Sequence, residues 1–131
     1  MKTFVKLAVI AATTLAGSAF AKFPEGQWTG NFWDVQSGKA IATDGNCFLA
    51  DGTWYNTSAT GVHGKWLLSG SEMYIQAVVD GSNQVYSSQV TVVNPKLMAG
   101  RHQHWTTDGS MAIFATTSLS YHSSTCLPPA N

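Results

Sequence analysis

The sequence predicts an all-β protein: an antiparallel up-and-down meander of about eight strands, closed or nearly closed into a barrel and carrying one disulfide. Three observations predict it. Turn dipeptides recur at short intervals: Ser37-Gly38, Asp44-Gly45, Asp51-Gly52, Ser69-Gly70, Asp80-Gly81, Asn94-Pro95 and Asp108-Gly109. The runs between them are rich in Val, Ile, Thr, Tyr, Phe and Trp, which suit a pleated, half-buried surface, and no convincing amphipathic helix interrupts them. The cysteines, Cys47 and Cys126, form a single pair. A two-sheet sandwich uses the same hairpins and is the alternative. Closure into a barrel is the more economical solution because it leaves no strand edge unpaired.

Taken in order, the chain begins with MKTFVKLAVIAATTLAGSAFA, residues 1–21. Two early lysines, an apolar run from Leu7 to Ala16 and the small-residue end Ala19-Phe20-Ala21 give the three-part layout of a secretory signal peptide. The apolar run is too short to span a bilayer, so membrane insertion is not expected. The remainder, 22–131, reads as one domain, periplasmic or secreted. Strands are predicted at Gln27–Asp34, Ala40–Thr43 continuing toward Cys47–Leu49, Thr53–Asn56, His63–Leu68, Glu72–Val79, Gln84–Val93, Lys96–Trp105 and Met111–His122. Alternation is clearest where Met73, Ile75, Ala77 and Val79 share one face. Val85, Ser87, Gln89, Thr91 and Val93 share a more mixed face, and Ile113, Ala115, Thr117, Leu119 and Tyr121 share a third. The polar loop from Asn56 to Gly61 reads as flexible, the usual place for a barrel to carry specificity.

The cysteines both lie in the exported part, where an even pair is most simply a disulfide tying the C-terminal tail SSTCLPPAN back to an early strand. Removing Lys2 and Lys6 from seven Lys and Arg leaves five, against seven Asp and Glu, a net charge of −2 for 22–131. Such a surface offers no electrostatic footprint for nucleic acid or an anionic membrane.

A resemblance enters with the motifs. Gly26-Gln27-Trp28-Thr29-Gly30 is similar to the glycine-x-tryptophan opening of lipocalin-like (calycin-type) barrels, where the tryptophan closes the bottom of the barrel. Phe48-Leu49-Ala50-Asp51-Gly52-Thr53-Trp54, followed by Gly64-Lys65-Trp66 and Gly70, resembles the meander of small bacterial envelope lipocalin-like domains. Gly52-Thr53-Trp54-Tyr55-Asn56 also resembles the first strand of avidins, although here two strands precede it, and biotin binding is not carried over. The resemblance implies a barrel, and within it a small ligand.

Catalysis is poorly supplied. Asp44, Asp51, Asp80 and Asp108 each precede glycine and read as turn residues, which leaves Glu25, Asp34 and Glu72 for a carboxylate-pair mechanism. There is no Gly-x-Ser-x-Gly elbow, and the serines lie on strands and turns with no adjacent base in the sequence. No enzyme and no cofactor are expected. The stretch Gly100-Arg101-His102-Gln103-His104-Trp105 is the other candidate. On a strand His102 and His104 share a side and could hold copper or zinc, with a third ligand from His63, His122, Glu72, Met98 or Met111. With Trp105 on the opposite side, the histidine side also reads as the more polar face of a half-buried strand, solvent-facing or hydrogen-bonded. Trp54, Tyr55, Trp66, Tyr74 and Trp105 are the aromatics expected to line a ligand pocket. The leading expectation is a non-enzymatic exported barrel that binds a small hydrophobic ligand. The alternatives are a periplasmic inhibitor or immunity protein acting on a protein partner, and a metal binder through His102 and His104.

Overall fold

The computed structural model describes residues 23–131, so the predicted signal peptide lies outside the described residues. Eight strands follow one another without a helix among them: β1 (Gly26–Asp34), β2 (Ala40–Phe48), β3 (Thr53–Asn56), β4 (Val62–Ser69), β5 (Glu72–Val79), β6 (Gln84–Asn94), β7 (Leu97–Thr106) and β8 (Ala112–Ser123). Each pairs antiparallel with the next. β8 returns to β1, from Gln27 against Ser123 to Asp34 against Ala115, and closes the barrel.

Six of the seven turn dipeptides lie at hairpins, and the β3–β4 hairpin, which has none, carries Gly61 at positive φ. Gly38, Gly52, Gly70, Gly81 and Gly109 take positive φ values at their turns, a conformation only glycine enters without strain. Asp44-Gly45 is not a turn. β2 runs through it unbroken, with Asp44 paired to Gly30 and Gly45 to Thr29. Glycine is needed at 45 because the β3–β4 loop lies directly on it: a Cβ there would collide with Thr57 Oγ1. The loop's backbone instead bonds to the strand, Thr57 N–H donating to Gly45 O at 2.8 Å.

The end of the barrel that holds Trp28 is the base, and it is apolar. Trp28, Phe48, Met73, Val90 and Met98 are fully buried there, with Leu119 beside them. Trp28 meets Phe23 and Tyr121 edge to face and donates its Nε1–H to Pro24 O at 2.8 Å, so the segment entering β1 plugs the barrel. On β6 the inward parity is Tyr86, Ser88, Val90 and Val92, opposite to the mixed face read from Val85 onward. The apolar alternation of β5 and β8 does face inward.

Cys47 and Cys126 form the disulfide, with Cα atoms 5.6 Å apart and 79 residues of separation. The tail beyond β8 is fixed along the outside of β1–β3. Tyr55 Oη donates to Leu127 O at 2.8 Å, and Leu127 N–H donates to Gln27 Oε1 at 3.0 Å. A structural disulfide of this kind belongs to an oxidising, exported compartment. No helix among the described residues is long and apolar enough to cross a membrane.

Candidate functional site

Above its apolar base the barrel interior turns polar. The inward positions of β2 place Asp44 two residues from Asn46 and four from Phe48; β3 adds Asn56, β6 adds Tyr86 and Ser88, and β7 adds His102. They surround a cavity of about 30 Å³, whose remaining wall includes Phe32 and Trp54. That volume holds one or two water molecules, against several hundred Å³ for a pocket that engulfs a drug-sized ligand.

Asn56 is oriented by its loop. Its Oδ1 accepts from the backbone N–H of Ser58 at 2.7 Å and of Ala59 at 2.8 Å, which leaves the amide nitrogen to face the Asp44 carboxylate. The same loop is held at Thr57 by Gln27 Nε2 (2.9 Å), at Ser58 Oγ by Gly45 N–H (2.8 Å), and through Thr60 Oγ1 donating to Asn131 O (2.8 Å). The segment expected to be flexible is therefore pinned, and its work is to set the cavity wall. Burial raises the Asp44 carboxyl above its ordinary value, and the Asn56 amide opposes that rise.

The histidines sit on this lining. His102 Nδ1 lies 2.8 Å from Ser88 Oγ, and its ring packs edge-on against Phe32 at 4.8 Å and tilted against Tyr86 at 5.7 Å. Desolvation, followed by the field of His104, pushes His102 down to about 4, so it is neutral near pH 7. His104 stacks on Tyr86 with ring centres 4.0 Å apart, and burial lowers it too. Gln84 Oε1 accepts from His104 Nε2 at 2.9 Å and from the Tyr86 hydroxyl at 3.3 Å. Burial, then the nearby Asp44, raise the Tyr86 phenol.

The structure separates residues that the sequence grouped. Of the five expected ligand aromatics, Trp54 lines the cavity and donates to Gln76 O at 3.2 Å. Trp66 packs against Phe48 lower down, with Nε1 directed at Leu49 O and Thr53 O, both at 3.0 Å. Tyr55 faces the C-terminal tail, and Tyr74 and Trp105 lie on the outer parity, Trp105 with the exposed Arg101 and Gln103. The strand of His102 and His104 is thus oriented opposite to a reading that buries Trp105, because the interior at this height is itself polar.

Of the expected third metal ligands, Met111 stands in the β7–β8 connection, its O accepting from Thr106 N–H at 3.1 Å, and the other four lie away from the histidines. Met98 is in the apolar base, His63 pairs with Asp80 outside the barrel at 2.9 Å, Glu72 accepts from Thr91 at 2.7 Å, and His122 is exposed. Among the described residues no three His, Cys, Asp or Glu side chains form a metal-holding group.

The site residues missed by sequence reasoning are Asp44, Asn46, Asn56, Tyr86 and Ser88. Parity was the available signal: Asp44, Asn46 and Phe48 alternate on one face once Asp44-Gly45 is allowed to be strand. Comparison with protein-family models and with curated proteins gives no match.

Proposed function

We propose that this is an exported, non-enzymatic binding protein that holds one end of a small polar ligand in the upper interior of its barrel. The observation that carries this reading is the cost of the lining. An eight-stranded barrel can fill its interior with apolar side chains, as this one does at its base. Its upper half instead sets a carboxylate, two carboxamides, a hydroxyl and an imidazole around one cavity, groups whose desolvation opposes folding. Convergent polar groups with displaced titration in a concave site are the physical signature of recognition. The size of the cavity favours anchoring a polar head group over enclosing the hydrophobic ligand that the resemblance to lipocalin-like barrels implies.

Ser88 and His102 have the spacing of a nucleophile and its base, but the reading remains one of binding. An imidazole pushed to about 4 is a weak base at neutral pH, and its ring neighbours are Phe32 and Tyr86 in place of an orienting carboxylate.

The test is a screen of small polar compounds against protein labelled at its histidine and tyrosine rings, read by NMR. Saturable movement of the His102 and Tyr86 signals, lost in Asn46→Leu, supports the site. Compounds that move only signals outside the barrel refute it.

A partner-protein reading has one observation in its favour. Outward-facing Trp33, Val35, Ile41, Val78 and Phe114 are exposed around the upper wall, with Val85 and Trp105 linking Val78 toward β8 by register. Apolar surface of this kind marks interaction sites. Loss of a co-purifying protein in Trp33→Asp/Phe114→Asp would support that reading; an unchanged complex would remove it.

A further inference from the structure

We infer that the end of the ligand held in the barrel is a small organic cation, an ammonium or guanidinium group, paired with Asp44 and faced by the rings of Phe32 and Tyr86. This rests on the upper interior being the ligand site, and it specifies the chemistry of that site.

The charge inventory of the cavity points one way. Among the described residues Asp44 is the only acid in its wall, and no lysine or arginine contributes to it. The four described cationic side chains, Lys39, Lys65, Lys96 and Arg101, are all exposed, and the described ion pair, His63 with Asp80, is outside the barrel. The carboxylate is half-withdrawn from water with the Asn56 amide as its hydrogen-bonding support. An ionised carboxylate offers about four lone-pair positions, so one amide leaves most of its capacity to a ligand donor. No described side chain supplies a counter-charge there; a cationic ligand does.

The rest of the lining suits the same guest. Aromatic faces are the negative regions of their rings, and Phe32 and Tyr86 border the cavity with Asp44. The imidazoles bring no opposing charge at neutral pH. The ionisable groups around the cavity are Asp44 from β2, Tyr86 from β6, and His102 from β7, with His104 stacked behind Tyr86; β1, β3, β4, β5 and β8 contribute Phe32, Trp54, Asn56, Val62, Ile75 and Leu119. A space of about 30 Å³ admits one N–H-bearing end of such a group, about the size of a water molecule, and leaves the rest of the ligand at the mouth.

The experiment compares methylguanidinium with methylurea, a neutral molecule of similar shape, at pH 7.5 and fixed ionic strength, by NMR titration of the His102 and Tyr86 ring signals. Methylguanidinium is expected to bind saturably at millimolar concentration, with methylurea about tenfold weaker or more, and Asp44→Asn is expected to erase that preference. Equal binding of the two probes to the unaltered protein overturns the cation assignment while leaving the upper interior as a site for neutral ligands. Methylguanidinium affinity unchanged in a folded Asp44→Asn also overturns it. If neither probe perturbs these rings, the cation assignment fails, and binding there of neutral compounds alone from the wider screen distinguishes that from failure of the site itself.

Discussion

His102 makes the stability of this protein depend on pH in a window where few other groups act. In the folded chain its titration lies at about 4 against an ordinary 6.5. The unfolded chain therefore binds more protons between those two values, and stability rises with pH across them. The contribution is fully present above 6.5 and is lost as pH falls toward 4. At about 1.4 kcal/mol for each tenfold change in proton affinity, the loss from pH 7.5 is about 2 kcal/mol at pH 5 and about 3 kcal/mol at pH 4. His104, also lowered, adds in the same direction. Asp44, raised, acts in the opposite direction as pH drops into the carboxylate range. The substitution that isolates His102 is His102→Gln, which keeps a polar group within reach of Ser88 Oγ. Urea unfolding followed by tryptophan fluorescence at pH 7.5, 6, 5 and 4 gives the curves. The difference between the unaltered protein and the variant should shrink by about 2 kcal/mol from pH 7.5 to pH 5. Parallel curves would refute the reasoning, because a buried neutral imidazole must produce this slope.

Other outcomes follow from the packing. Cys126→Ser opens a loop whose ends are 79 residues apart and is expected to destabilise by about 2–4 kcal/mol, measured by urea midpoint under oxidising conditions. Asp44→Asn should raise Tm at neutral pH, because the neutral amide avoids the desolvation that lifts the Asp44 carboxyl; a lowered Tm would show that the carboxylate is stabilised by its surroundings. Gly100→Ala places a Cβ against Gln89 O and Val90 Cα on the neighbouring strand, backbone that cannot give way as a flexible side chain can. A loss of about 3 kcal/mol in urea unfolding is expected, and a change under 1 kcal/mol would contradict the tight approach of β6 and β7.

Asp44 illustrates why the fold was more legible than the site. As a dipeptide, Asp44-Gly45 is indistinguishable from Asp51-Gly52 or Asp80-Gly81, which do make turns. What differs is the β3–β4 loop lying on Gly45, a contact made by residues twelve and thirteen positions further along. The histidines show a related effect. An apolar interior lets hydrophobic parity assign the inner face, as it does for Met73, Ile75 and Ala77, whereas a polar upper interior inverts the rule at His102. Parity divides aromatics that were expected to line one pocket together, since Trp54 and Tyr55 are adjacent in sequence and on opposite sides of the wall.

The sequence by itself determined the all-β class, eight strands close to their observed limits, most of the hairpin turns and the Cys47–Cys126 pairing. These depend on local terms: backbone preferences at glycine, period-two alternation, and the presence of a single cysteine pair. Tertiary structure decided that the sheet closes through β1 and β8, that β2 continues through Asp44, and that carboxylate, carboxamides, hydroxyl and imidazole meet around one small cavity. Each of those depends on register between strands distant in sequence, and register converts a list of alternating residues into a set of side chains that share a space.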